Sequence, residues 1–119
     1  MIMIGGYYAV HYKQGYVPVK VIAITQLETG MVYHVSIFKG LYDKPENIPG
    51  PEEHDYLLEQ AAVSAAKFDK EKTILLQQYP VYADEENIYR IWLDEWNNRE
   101  AGFYSLTFSE LLTVLIKDH

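Results

Sequence analysis

The sequence predicts a single α+β domain, residues 1–119, in which two helices pack on a mostly antiparallel sheet in the order βββαβββα. Three observations lead to this fold class. The first 39 residues read as strands separated by glycine turns. Two later segments carry apolar residues at helical spacing. Runs of strands separated by single helices are typical of α+β proteins, whereas doubly wound sheets alternate strand and helix.

The first three strands form two predicted hairpins. They are residues 6–12, 16–27 and 31–39, with turns at Gln14-Gly15 and Thr29-Gly30. This register places Val10 opposite Val19 and Val21 opposite Phe38. Both faces of the sheet are then substantially apolar, so both must be covered. We expect a helix on one face and further sheet or a second subunit on the other.

A long loop over residues 40–53 is followed by the first predicted helix. Pro51 suits a first helical turn, and the acids that follow it suit the positive end of the helix dipole. The helix would bury a stripe of apolar residues at helical spacing: Leu57, Leu58, Ala61, Ala62, Ala65 and Phe68. Residues 69–72 would end it.

The second half of the chain predicts three more strands and a closing helix. The strands are residues 73–82, 88–96 and 103–106, with an acidic turn at 83–87. Residues 88–96 alternate as a strand does, although Ile88, Ile91 and Trp92 also fit a helix, which stays the alternative. The closing helix has a capping box, Thr107 with Glu110.

Composition narrows the classes of partner. Seventeen acids against ten bases give a net charge of −7, which argues against nucleic acid because phosphate binding needs a basic surface. The same charge suits a basic protein partner. No segment has the apolar length that spans a bilayer, and the chain has no cysteine. We therefore expect a cytoplasmic protein that binds neither membranes nor nucleic acid.

Catalytic, metal and cofactor signatures do not emerge from the residue spacing. The four histidines, His11, His34, His54 and His119, are scattered, and none has a second histidine three or four positions away. The serines lack a glycine-flanked nucleophile elbow. We expect no catalytic residue, no metal site and no cofactor.

One cluster combines aromatic rings with acids and predicts a partner-binding site. Its members are Tyr89, Trp92, Asp94, Glu95, Trp96 and Glu100, with Asp84, Glu85 and Glu86 nearby. Tryptophan and tyrosine are enriched at the centres of protein interfaces, and surrounding acids would suit a basic partner. We expect Trp92 to face the core and Trp96 to anchor the partner.

These observations favour a non-enzymatic, acidic protein-binding module, such as an immunity- or inhibitor-type protein that blocks a basic partner. One alternative is an enzyme or small-ligand-binding protein. Its pocket would lie between the sheet and the first helix, lined by tyrosine hydroxyls with His34 or His54. Another is a structural homo-oligomer, a homodimer through the first sheet.

Overall fold

The α+β fold class is confirmed. A computed structural model describes residues 2–117 and has a five-stranded, fully antiparallel sheet with helices packed on it. The strands are β1 (Gly6–Tyr12), β2 (Gly15–Leu27), β3 (Gly30–Phe38), β4 (Tyr56–Ser64) and β5 (Thr73–Gln78). Their order across the sheet is β4-β3-β2-β1-β5, so β4 and β5 are the edges.

Within residues 2–117, three α-helices accompany the sheet, instead of the two that were predicted. They are α1 (Ala65–Phe68), α2 (Ala83–Asn97) and α3 (Phe108–Lys117). Two 3-10 helices, Pro45–Asn47 and Pro51–Glu53, lie in the long loop between β3 and β4. None of the helices among the described residues is both long and apolar enough to cross a membrane.

The two hairpins are present, but their register was predicted wrongly. In the first, Val10 lies opposite Val17, because Gly15 begins β2 and does not complete the turn. A Cβ on Gly15 would meet the Tyr42 carbonyl oxygen at 2.7 Å, so glycine is needed there for the close approach of Tyr42. The first turn instead places Lys13 in the left-handed region, at φ 54°.

A register shift in β2 decides which residues of β3 share its faces. The second turn lies at Glu28-Thr29, since Leu27 pairs with Gly30. A shift between Val21 and Ala23 then places Val21 opposite Val35, not opposite Phe38. Tyr33, Val35 and Ile37 consequently join the same core as Val21. The bulge therefore moves these three side chains to the face opposite the one that a regular hairpin predicts.

The predicted helix between residues 51 and 68 is wrong. Most of this segment is strand β4, which pairs antiparallel with β3, for instance Val63 with Tyr33 and Ala61 with Val35. Only Ala65–Phe68 is α-helical. The free edge of β3 supplies backbone partners to the segment, and this pairing outweighs the helical preference of its alanines.

The predicted strand at residues 88–96 and the acidic turn at 83–87 are also wrong. Both belong to α2, so the helical alternative for 88–96 is the correct one. β5 ends at Gln78 instead of continuing to Tyr82. The short strand predicted at 103–106 is reduced to one parallel bridge between Tyr104 and Val63.

The closing helix is confirmed as α3. The Thr107 amide donates to Glu110 Oε1 at 3.0 Å, and the Glu110 amide donates to Thr107 Oγ1 at 3.1 Å, which is a capping box. Phe108, Leu111 and Leu112 are buried in the main core.

Both sheet faces are covered, as the apolar patterning requires. On the first face, α1 and α3 pack on the side chains of Tyr8, Val10, Val17, Val19, Val21, Tyr33, Val35 and Ile37. On the second face, α2 lies over Val32 and Ala62 through Trp92. The cover of this face therefore comes from a helix of the same chain, not from further sheet. A homodimer stays a prediction.

Candidate partner-binding surface

The predicted cluster of aromatic and acidic residues is divided between two sides of one helix. Eight of the nine residues lie on α2, and Glu100 follows it. Glu85, Tyr89 and Trp92 point to the sheet, whereas Asp84, Glu86, Asp94 and Glu95 are exposed. Trp96 is partly buried. The inner residues fix the helix on the sheet, and the outer ones form the surface available to a partner.

The N-terminal end of α2 is held by a buried ion pair. Lys20 of β2 is 1% exposed, and its Nζ lies 2.7 Å from Glu85 Oε1. The ammonium also donates to the Pro80 carbonyl oxygen at 2.8 Å and lies 4.5 Å from the centroid of the Tyr82 ring. Glu85 Oε1 accepts a further hydrogen bond from the Tyr82 amide. Glu85 is therefore buried in the interior and does not belong to the surface that a partner could contact.

The middle of α2 is held by a hydrogen-bonded chain that ends on a buried histidine. His34 is fully buried, and this burial lowers its pKa, while the hydrogen bond to Gln60 opposes the shift. Nδ1 lies 2.9 Å from Gln60 Oε1, which can only accept, so Nδ1 carries the proton. Nε2 of the neutral ring then accepts from Thr25 Oγ1 at 2.8 Å. Thr25 in turn accepts from the Tyr89 hydroxyl at 3.0 Å.

Trp92 joins this interior, as expected. It is 7% exposed, its ring lies 4.5 Å from that of His34, and Nε1 donates to the Gly102 carbonyl oxygen at 3.0 Å. Trp96 stacks on its outer side, with the ring centroids 5.4 Å apart and the planes 13° from parallel. The ring of Phe103 also packs against that of Trp96, with the centroids 6.2 Å apart. The Trp96 ring therefore packs on Trp92 and Phe103 and stays partly exposed to solvent.

The exposed acids of α2 fall into two groups with different effects on the helix. Asp84 and Glu86 lie in the first turn, where the helix dipole favours negative charge, and Glu86 pairs with Arg90 at 3.0 Å. Asp94 and Glu95 lie near the C-terminal end, where the dipole disfavours negative charge, and the last turn holds no basic residue. The helix dipole therefore favours the first group and disfavours the second, which exposed Arg99 follows just beyond the end of the helix.

The alternative site was expected in a ligand pocket between the sheet and the first predicted helix. The residues predicted to form that helix are a strand, and His34 is enclosed by Thr25, Gln60, Tyr89 and Trp92. The predicted helix is therefore not there to cover a pocket, and a small-ligand-binding or enzymatic function stays a prediction.

His54 does meet tyrosine hydroxyls, but within the packed loop between β3 and β4. The Tyr7 hydroxyl donates to the Pro49 carbonyl oxygen at 2.8 Å. Its single proton is used there, so His54 Nε2, 2.6 Å away, donates to the Tyr7 oxygen. The His54 ring also stacks on Phe38 at 5.0 Å. Burial raises the pKa of Tyr7. The cluster fastens the loop to the second face.

Among residues 2–117, no three histidine, aspartate or glutamate side chains are arranged to hold a metal ion. His11 packs edge-on against Tyr16, with the centroids 5.5 Å apart. His119 lies outside the described residues.

Sequence reasoning missed Lys20 and His34 as the groups that hold α2. Lys20 had a signal, because it is flanked by apolar residues in the middle of a long strand. Its partner could not be found while residues 83–87 were interpreted as a turn. The three acids in the first turn, Asp84, Glu85 and Glu86, are a typical helix-start signal that would have corrected this.

Compared with known proteins, the chain matches no protein-family model, no curated protein and no solved structure.

Proposed function

We propose that this chain is a non-enzymatic binding module that acts on a basic protein, in the manner of an immunity- or inhibitor-type protein. The contact surface is the C-terminal half of α2 with the turn that follows it. We define this acidic surface as Asp94, Glu95, Trp96 and Glu100. We also propose that the protein acts in the cytoplasm. A chain without cysteine forms no disulfide, which fits a reducing compartment.

The observation that supports the proposal is the pair Asp94 and Glu95 near the negative end of α2. Each exposed acid at such a position destabilises a helix by up to about 1 kcal/mol. Departures from local stability rules are expected where a protein keeps residues for function. A basic partner would compensate for the unfavourable charge, and complementary charge would speed the encounter.

Trp96 supplies the apolar centre of the acidic surface. Its ring rests on Trp92, which is fixed by its hydrogen bond to Gly102, so Trp96 is held in place before a partner arrives. A pre-positioned aromatic ring loses little conformational freedom on binding. Tryptophan is also among the residues most often found as binding hot spots.

The proposal is tested by affinity capture from extracts of the native host. We expect the wild-type chain to retain a basic protein, and the variant Asp94→Lys/Glu95→Lys to lose it. The matched control, Glu28→Lys/Glu46→Lys, reverses two exposed charges elsewhere and should retain it. Trp96→Ala should weaken binding of the captured protein by about 2 kcal/mol or more. Equal retention by both charge variants, or capture of acidic proteins only, would contradict the proposal.

A further inference from the structure

The outer edge of strand β4 is covered over only half of its length. Tyr104 pairs with the C-terminal half, since the Ser64 amide donates to its carbonyl oxygen at 2.9 Å and its own amide donates to the Ala62 carbonyl oxygen at 2.8 Å. Within the described part of the chain, no strand or bridge lies on the outer side of residues 56–60. Residues 61–63 are buried, whereas Tyr56 and Glu59 are exposed and the three residues Leu57, Leu58 and Gln60 are half-buried.

A groove of about 540 Å³ runs between this open half of β4 and α2. Its lining includes Tyr56, Leu58, Glu59, Gln60, Ile91 and Glu95. Ile91 is 51% exposed and Tyr56 38% exposed, so the groove presents apolar surface to solvent. A strand edge with exposed apolar neighbours readily pairs with another chain.

The charge around the groove is of one sign. Glu59 and Glu95 are exposed along it, and no lysine or arginine is among the described residues that line it. Burial raises the pKa of the Tyr56 hydroxyl, and the charges of Glu85, Asp84 and Glu59 raise it further. The groove is therefore complementary to a cationic ligand, and through Glu95 it is continuous with the acidic surface.

We infer that this groove binds an extended, cationic segment of the basic partner, added as a strand to residues 56–60 of β4. The inference rests on the proposed function and names its mode of recognition. Backbone hydrogen bonds to the strand edge would supply affinity, and alternate side chains would supply specificity. Cationic side chains on the α2 side of the segment would lay their apolar stems against Ile91, and their charged ends would meet Glu59 and Glu95.

The irregularity of β4 limits the length of the added strand. Register shifts lie between Val35 and Ile37 and between Ile37 and Phe38, where β3 pairs with β4. Such bulges twist an edge and interrupt open-ended pairing. A short segment can pair where a long sheet cannot grow, which suits a defined partner better than self-association.

The other edge of the sheet, β5, is a poorer match for a cationic segment. Ile74 and Leu75 are exposed on it, so it shares the apolar character of β4. However, Lys70 and Lys72 lie just before it and are exposed. Because Asp69 and Glu71 alternate with these lysines, this segment has no net charge. The β5 edge therefore lacks the one-sign acidic charge of the groove and serves as the internal reference for the experiment.

The experiment is an NMR titration of the full chain with a blocked heptapeptide of alternating lysine and valine. We expect amide shift changes confined to residues 56–60 and to the groove side of α2, with slowed hydrogen exchange in 56–60. Glu59→Lys/Glu95→Lys should weaken the affinity about tenfold or more, and Glu28→Lys/Glu46→Lys should leave it unchanged. A glutamate–valine peptide should not bind.

A second peptide isolates strand pairing from charge. It has the same sequence with N-methyl groups on alternate amides, which removes backbone donors and keeps every charge. Affinity reduced about tenfold or more supports an added strand. Equal affinity of the two peptides, shifts on β5, or no binding at all would overturn the inference. Concentration-dependent shifts of 56–60 without peptide would also overturn it, because a second copy of the chain would then occupy the groove.

Competition with the captured partner separates this inference from the proposed function. Displacement of the partner by the lysine–valine peptide supports the groove as the partner's site. A partner that depends on Asp94 and Glu95 but is not displaced leaves the proposed function standing and overturns the inference. If no basic protein is captured, the proposed function fails, while the peptide titration still reports on the groove itself.

Discussion

At the scale of single residues, buried His34 makes the free energy of unfolding depend on pH. It is fully buried and neutral, and its burial lowers its pKa from the ordinary value of 6.5. Just below pH 6.5 the unfolded chain therefore binds more protons than the folded chain. The free energy of unfolding must then fall as the pH falls below about 6.5, with a slope of up to about 1.4 kcal/mol per pH unit from this group.

The first prediction concerns this slope. Unfolding by urea, measured at several pH values between about 5 and 6.5, should show the wild type losing stability towards acid. His34→Gln should have a smaller slope, because glutamine does not titrate, although it should be less stable throughout. His11→Gln, which removes a histidine outside this interior, is the control for the loss of an imidazole as such. An unchanged slope in His34→Gln would contradict the assignment.

The second prediction concerns the buried ion pair of Lys20 and Glu85, in which Nζ lies 2.7 Å from Oε1. Removing one partner leaves the other charge buried and unpaired, so Lys20→Met or Glu85→Leu alone should lower the free energy of unfolding by about 3–5 kcal/mol. The double variant should recover much of that loss, since no buried charge remains. Purely additive losses in the double-mutant cycle would show that the two side chains do not depend on each other.

At the scale of elements, the placement of acids along α2 separates stability from binding. Asp94→Lys/Glu95→Lys should raise the free energy of unfolding, by about 0.3–1 kcal/mol for each position, because lysine suits the C-terminal end of a helix. Asp84→Lys, in the first turn, should lower it by a similar amount. Thermal or urea unfolding measures both changes. A stability loss in the C-terminal variant would mean that these acids serve the fold, which removes the main support for the proposed function.

The elements also show what the sequence can and cannot predict. The hairpins and α3 follow from local signals, namely alternation with glycines and a capping box, so these elements were predictable. β4 was not, because its spacing of Leu57, Leu58, Ala61 and Ala62 fits a helix, and only the distant edge of β3 makes it a strand. For α2, the three acids of the first turn are a sufficient signal for the start of a helix, but the same residues were interpreted as a turn between strands.

The candidate site was predictable only in part. The clustering of Trp92, Trp96 and the acids singled out one segment, which the structure shows to be helix α2, and the burial of Trp92 agrees with its expected place in the core. The inner and outer residues of the cluster can be separated only when the segment is treated as a helix. Treated as a strand, the same segment places Trp92 and Asp94 on one side. Glu85 and Tyr89 could not be assigned to the interior without Lys20 and Thr25, which are more than sixty residues away in sequence.

At the scale of the whole molecule, two layers of side chains support one acidic surface. The sheet supplies buried polar groups that fix α2, and α2 presents Asp94, Glu95 and Trp96 outward. Since the chain carries a net charge of −7, the field of the whole protein adds to that of this surface. We therefore expect electrostatic attraction to govern how fast the proposed partner associates.

The association rate constant of the captured partner, measured over increasing salt, tests this most directly. Between about 0.1 M and 1 M salt the Debye length shortens from about 10 Å to about 3 Å. The rate constant for the wild type should fall steeply over this range, and Asp94→Lys/Glu95→Lys should be slow at low salt with a shallow dependence. A rate constant that is independent of salt and equal in both proteins would show that the acidic surface does not attract the partner.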